Sequence, residues 1–584
     1  MMQVKRHSES RAERRAFGWL GPAILVVATV AGTHASAADP ISVDPQSQAG
    51  AYLAGTIAAT RADLSSAAAF MREALERDPD SPTILRSALG LSLAANGVAD
   101  ALPLARQATE RAEDVVLVDT ILMVEAMNSG DFDQAQSLAE DMERIGVTRF
   151  SLPFVEAWAA AGQGDIVAAD AALDLVRGTG GFASLAHLHL ALMFDLADQV
   201  DEAETEYRMA LEGAQTDLLI EALASLLSRH GREDEALTLL ADAIDGGNQS
   251  RFLAAALDRV EGGQPIPRPI PEPGRGLGEA FYQIANALTL EDATRDAMHY
   301  IRYAQYLWPE APQIQLLLGD VFRDADAHED ALSAYAELEL GTRHGNAAAL
   351  RRAALLGELE RFEQALTELE VLAEATPDSA DPLVQRGDLL RVQHRFDEAV
   401  MAYDEAVERV PQLVESDWSF LFRRGIALER SGTWDRAERD FIQAIDINPD
   451  NGFLLNYLGY SWADRGINVD EAEELLLRAI ELEPESGFIA DSVGWVYYRQ
   501  GRMDEAIEWL ELAVTLEPTD PEINDHLGDA YWVVGRYAEA RFQWERALAN
   551  ATDDERITSL EAKLTDGLLE DGILEEFRPA SLSP

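Results

Sequence analysis

The chain has 584 residues, 47% hydrophobic and 26% charged, the composition of a folded protein and not of a disordered one. Its 47 lysines and arginines stand against 104 aspartates and glutamates, a formal charge of −57, so it lacks a basic face for nucleic acid or anionic lipid. It has no cysteine, which excludes disulfides, a thiol nucleophile, cysteine zinc sites and lipoprotein acylation. The acidity reads either as general solubility or as a field that steers a basic partner.

Residues 1–37 read as a signal peptide. Lys5, Arg6, Arg11, Arg14 and Arg15 precede an apolar run from Trp19 to Ala31, and Ala35-Ser36-Ala37 offers a small-x-small cleavage site. The run is short for a membrane span. The expectation is cleavage after Ala37 and a mature chain in the periplasm of a Gram-negative bacterium. The alternative is an uncleaved segment anchoring the chain in the inner membrane. Arg14-Arg15-Ala16-Phe17 is a faint twin-arginine export signal.

Beyond residue 37 one pattern recurs. A small residue marks the first helix of each unit at Gly55, Gly90, Ala157, Ala191 and Ala224, with Met123 a poor fit between them. After a gap the series resumes at Ala285, Gly319, Ala353, Gly387, Gly425, Gly459, Gly494 and Gly528. Spacings of 33 to 35 residues, with one of 38 before Gly425, predict helix hairpins that bury their apolar stripes only by stacking. A second small residue follows 12 later, as at Ala506 and Ala540. Two units depart: Leu102 stands where the alanine is expected, and Ala472 comes one residue late after Asn468.

The reading divides residues 38–250, about six repeats, from 278–550, about eight. Between them 251–277 reads as a proline-rich linker, with prolines at 265, 267, 269, 271 and 273 favouring an extended chain. It reads as a spacer, a loop covering the repeats, a hinge or a docking segment. Residues 551–584 read as a capping helix and tail, with Ile557, Leu560 and Leu564 on one face.

Few residues invite chemistry. His187 and His189 point to opposite sides of a helix and cannot share a metal. Asp324, Asp326 and Asp330 lack the glycine and glutamate of a calcium loop. No serine elbow, Walker loop or dinucleotide motif is present. No catalytic, cofactor or metal residue is expected.

The clearest copies are Val493-Gly494, Tyr497, Gly501, Ala506, Ala513, Pro518, and Leu527-Gly528, Tyr531, Gly535, Ala540, Ala547. This pattern resembles the tetratricopeptide signature. The resemblance implies an all-α, right-handed α-solenoid of about 14 hairpins in two arrays with a C-terminal capping helix. The strings NYLGYSWADRGI, DSVGWVYYRQGR and NDHLGDAYWVVGR are similar to those of bacterial envelope tetratricopeptide proteins, among them lipoprotein adaptors of a carboxy-terminal processing protease. Those adaptors carry the lipid-bearing cysteine that this chain lacks.

Carried onto this chain, the family's ligand positions are Asn456, Tyr460, Asp464, Asp491, Trp495, Tyr498, Arg499, Asp525, Asp529 and Trp532, with Val533 beside them. Aromatics among carboxylates suit an extended apolar or basic peptide. The alternative is that Trp495 and Trp532 only pack between helices. Asp491, Asp525 and Asp529 would repel a partner's terminal carboxylate. The expected function is a non-enzymatic exported scaffold or adaptor for proteins or peptides, an envelope protease or cell-wall enzyme among them. A membrane-attached assembly factor and an enzyme-like role in envelope polysaccharide handling are the alternatives.

Overall fold

The computed structural model describes residues 47–110, 116–179, 182–213, 215–245, 251–410 and 418–568. The expected signal peptide and the tail beyond Leu568 lie outside the described residues. Within them are 30 helices and no strand. Twenty-eight helices pair in succession as fourteen hairpins, while Arg251–Glu261 and Asp554–Asp566 each pack on the hairpin before them.

Local chemistry sets the ends of the helices. Ser81, Ser486 and Asp520 accept hydrogen bonds from amides of the first turn, and Pro82, Pro312 and Pro521 stand where an amide hydrogen has no partner. Within several hairpins one turn residue adopts positive φ: Gly501 (76°) and Gly535 (82°), or Asp326 (59°) and Glu360 (58°) in the same place.

The marker glycines make room for a large side chain sixteen residues on. A Cβ at Gly319, Gly387, Gly425, Gly494 or Gly528 would come within 2.4–2.6 Å of Tyr335, Tyr403, Phe441, Leu510 or Trp544 respectively. At Gly459 the neighbour is Leu476, seventeen on, because Asn468 at φ 47° inserts one residue into the turn. The alanines twelve on, such as Ala506 and Ala540, are fully buried as well. The departure at Leu102 has a simple cause. Gly97 alone separates Pro82–Asn96 from Val98–Glu110, so the small residue arrives one position early, as the fully buried Ala101.

The first array shares its core with the opening hairpins of the second. Pro273–Leu290 packs against Val116–Ser129, Thr148–Gly162 and Ala183–Leu196, which are first helices of the first array. Its hairpin partner Thr294–Leu307 reaches Pro82–Asn96, Val98–Glu110 and Val116–Ser129. Buried apolar side chains accordingly form one cluster from Ala51 to Ala365. Trp158 is fully buried against the backbone of Gly276. The hydroxyls of Ser151 and Tyr300 share a hydrogen bond of 2.8 Å. Arg302 donates to the carbonyls of Ala94 (3.0 and 2.9 Å) and Ala95 in the last turn of Pro82–Asn96, where carbonyls lack helical partners and a cation is favoured.

The proline-rich stretch is therefore no spacer standing clear of the repeats. Arg251–Glu261 is helical, and Pro273 opens the next helix. Between them Ile266 and Ile270 are buried. Ser225 donates to the carbonyls of Ile266 (3.0 Å) and Pro267 (2.8 Å), and Ser228 accepts from the Ile266 amide (3.1 Å). Arg268 pairs with Asp195 and Asp198. Proline removes the amides that would need partners, and the isoleucines supply the contact.

Candidate functional site

In the second array, the residue after the marker glycine takes one of two forms. After Gly319, Gly387 and Gly528 it is an aspartate. Asp320 accepts from the Tyr335 hydroxyl (2.7 Å) and pairs with Arg351 of the next repeat. Asp388 accepts from Tyr403 (2.6 Å) and pairs with Arg423. Asp529 accepts from Trp544 Nε1 (3.0 Å) and pairs with Lys563 of the capping helix (2.8 Å). Each is a clamp: a carboxylate, buried at Asp529 and half-buried at Asp320 and Asp388, held by a donor from its own hairpin and a cation from the next element.

Three successive repeats lack the clamp. After Gly425, Gly459 and Gly494 stand Ile426, Tyr460 and Trp495, and the side chains beside those glycines, Phe441, Leu476 and Leu510, carry no donor. Ile426, Tyr460 and Trp495 are all half-buried. They form a stripe at one register position, bounded by the clamps at Asp388 and Asp529.

The ten expected ligand residues divide accordingly. Asp525 and Asp529 are not free to meet a ligand, because Lys563 lies 2.7 Å from the first and 2.8 Å from the second. Burial, with Asp525 beside it, raises Asp529 to a pKa of about 6 against the pull of Lys563. Trp532 is packing: it meets Tyr537 at 4.5 Å and Trp544 at 5.2 Å, and Gly567 lies against its ring. Asp491 is buried and accepts from His526 Nδ1 (2.9 Å), and the His526 ring stacks on Trp495 at 4.1 Å. Burial opposes charge on His526, but Asp491 outweighs it and raises the imidazole to about 9. Tyr498 is buried and also stacks on Trp495, at 4.8 Å.

Tyr460 donates to Glu522 (3.1 Å), two repeats away, and Arg556 holds the same carboxylate (3.1 Å). The first helices thus curve tightly enough for repeats two apart to touch. Asp464 is exposed, and the Arg499 guanidinium lies against Gly466. Two buried polar atoms on this face have no partner among the described residues: Asn456 Oδ1, an acceptor, and Trp495 Nε1, a donor. His526, Glu522 and Lys563 were missed from the sequence. The match of an aspartate after the glycine with a tyrosine or tryptophan sixteen on would have found the clamps.

The first array's histidines face different neighbours. His187 pairs with Glu206 (2.6 Å), whereas His189 is fully buried and accepts from Trp158 Nε1 (3.2 Å). Among the described residues no group of three or more histidines and carboxylates is placed to hold a metal. Burial holds His189 neutral, its pKa lowered to about 3. The unfolded chain binds a proton there below about 6.5 and the folded chain does not, so stability falls as pH drops through that value. Urea unfolding at pH 6.5 and pH 5 should show wild type losing about 2 kcal/mol more than His189→Gln. Equal losses would contradict a neutral, buried His189.

Comparisons place these repeats. The tetratricopeptide repeat family matches residues 350–414, 384–452 and 422–487, and a TPR repeat family matches 494–535. A curated relative, a TPR repeat-containing protein of Pseudomonas aeruginosa, is 26% identical over 187 residues, 32% of this chain and 31% of its own. The chain thus matches about a third of that relative's length. Among solved structures, YrrB, a TPR protein with an unusual peptide-binding site, is 19% identical, with TM-score 0.27 over 33% of this chain and 93% of its own. A tetratricopeptide repeat protein of Parabacteroides merdae is 14% identical, with TM-score 0.32 over 48% and 96%. The APC/C hetero-tetramer Cut9-Hcn1 is 14% identical, with TM-score 0.35 over 89% and 96%. Residues 350–487 and 494–535 match tetratricopeptide repeats, and the described residues form an all-α solenoid of helix hairpins.

Proposed function

We propose that the chain is an exported, non-enzymatic scaffold that holds an extended segment of a partner protein along Ile426, Tyr460 and Trp495. One observation carries this reading: three neighbouring repeats present half-buried apolar or aromatic side chains where the flanking repeats carry closed clamps. Asn456 Oδ1 and Trp495 Nε1 add an unmet acceptor and donor beside that stripe, the pair of groups a peptide amide satisfies. In the first array the helices Val116–Ser129, Thr148–Gly162 and Ala183–Leu196 are covered by the chain's own hairpin. Export rests on residues 1–37. The likeness of the C-terminal strings to envelope adaptors favours a partner in envelope protein assembly or proteolysis.

The test is capture of partners from the native envelope by wild type, Trp495→Ala and, as a surface control, the exposed Phe542→Ala. Loss of a central anchor should weaken binding by about 2 kcal/mol, roughly thirtyfold. Equal capture by Trp495→Ala would overturn the proposal. The mass of the mature protein reads cleavage after Ala37 separately.

A further inference from the structure

The two ends of the stack are finished differently. Asp554–Asp566 exposes Asp554, Glu555, Thr558, Glu561 and Asp566, the polar outer face that a terminal repeat needs. The first described hairpin opens instead with Gln48–Thr60. Among the described helices it is the one with no aspartate, glutamate, lysine or arginine. Gly50, Ala51, Gly55 and Ala58 are its buried side. Ala49, Tyr52, Leu53, Thr56, Ile57 and Thr60 are exposed. Tyr52, Leu53 and Ile57 keep 37%, 47% and 43% of their surface open.

The exposed residues recur every three or four positions and form one stripe along the helix. Both threonine hydroxyls are already satisfied, Thr56 donating to the Tyr52 carbonyl (2.9 Å) and Thr60 to that of Ile57 (2.8 Å). Their methyl groups are left to pack, so covering the stripe strands little polar surface. Charge then selects the occupant. At −57, two copies repel wherever carboxylates meet, and an uncharged helix is where they touch without that penalty. A charged partner gains nothing from such a face. The spacing is also self-complementary. Crossing two of these helices antiparallel sets Ala49 against Thr60, Tyr52 against Ile57 and Leu53 against Thr56, exposed position against exposed position throughout.

We infer that two copies of the chain pair through Gln48–Thr60, antiparallel about a two-fold axis, each helix capping the other's stack. A helix of 13 residues is only about 20 Å long, so the contact is small and the dimer weak, forming at micromolar concentration. The stripe at Ile426, Tyr460 and Trp495 takes no part, and neither reading needs the other.

Sedimentation equilibrium of the full chain across the micromolar range should show monomer giving way to dimer and to nothing larger, because a two-fold contact closes. Leu53→Glu places a carboxylate from each copy near the axis and should weaken the dimer at least about tenfold. Phe542→Glu adds the same charge at an exposed site elsewhere and should leave the dimer unchanged. Circular dichroism checks that each variant keeps its helices. Because the chain lacks cysteine, Ala49→Cys mixed with Thr60→Cys reads the pairing independently of Leu53. Oxidation should join the two variants to each other in preference to like with like. A chain monomeric throughout, a dimer indifferent to Leu53→Glu, an equal loss with Phe542→Glu, or disulfides without preference would each overturn the proposal.

Discussion

Gly276→Ala is expected to destabilise the protein, although glycine to alanine inside a helix ordinarily stabilises by about 0.5–1 kcal/mol. A Cβ at this position would stand 2.3 Å from the Trp158 ring. That ring has nowhere to go: it is fully buried and its Nε1 is tied to His189, which itself packs edge-on against Phe154. Overpacking of this kind costs about 1–3 kcal/mol and outweighs the helical gain. Gly90→Ala is the matching control. Its Cβ would meet only Leu117, at 3.9 Å, so the ordinary gain of about 0.5–1 kcal/mol should appear. Urea unfolding of the two variants should therefore move in opposite directions. A stabilised Gly276→Ala would mean that the second array does not press on the first.

Lys563→Met should unfasten the end of the solenoid. Among the described residues Lys563 is the cation placed on both Asp525 and Asp529, whose side chains are only 13% and 10% exposed. Removing one partner from a buried charge cluster costs about 3–5 kcal/mol, because the remaining charges stay desolvated. In a stacked array the loss is local, so Asp554–Asp566 and the hairpin Pro521–Val533 with Tyr537–Asn550 should open before the rest. The pH dependence follows from burial, which already raises Asp529 to about 6. A carboxyl raised in the folded state loses stability as pH climbs through that range, and without Lys563 the rise is larger. The defect should be greatest at pH 8 and shrink toward pH 5, read from the fluorescence of Trp532 and Trp544. A defect independent of pH would mean that Lys563 acts through packing alone.

Much of the fold was legible because its signal is periodic. The glycine and alanine markers sit where two helices must approach, and the late Ala472 followed from an insertion visible at Asn468. The covering of the first array was also written in the chain, in a form that repeat spacing does not read. Thr148–Gly162 buries Leu152, Phe154, Val155, Ala157, Trp158, Ala159 and Ala160 around its whole circumference, and Ala183–Leu196 does much the same. A helix apolar on every side is covered on every side. A single open groove would have left one face polar.

The site was harder to read. Family positions identify which residues line the inner surface, but not which of them the chain itself satisfies. Lys563 lies 34 residues from Asp529 and His526 lies 35 from Asp491, distances at which one side chain's partner depends on curvature between repeats. Trp532 and Trp495 look alike in sequence. Both are half-buried among rings, Trp532 with Tyr537 and Trp544 and Trp495 with Tyr498 and His526, and only the structure shows that the Trp495 Nε1 is buried without a partner among the described residues.

Hydrogen exchange on the intact chain, with and without Gly276→Ala, tests most directly whether the second array fills the first. The account predicts faster exchange in Val116–Ser129, Thr148–Gly162 and Ala183–Leu196 together with Pro273–Leu290, and no change in Gly452–Arg465 or Gly487–Arg499. Faster exchange confined to Pro273–Leu290 would contradict it.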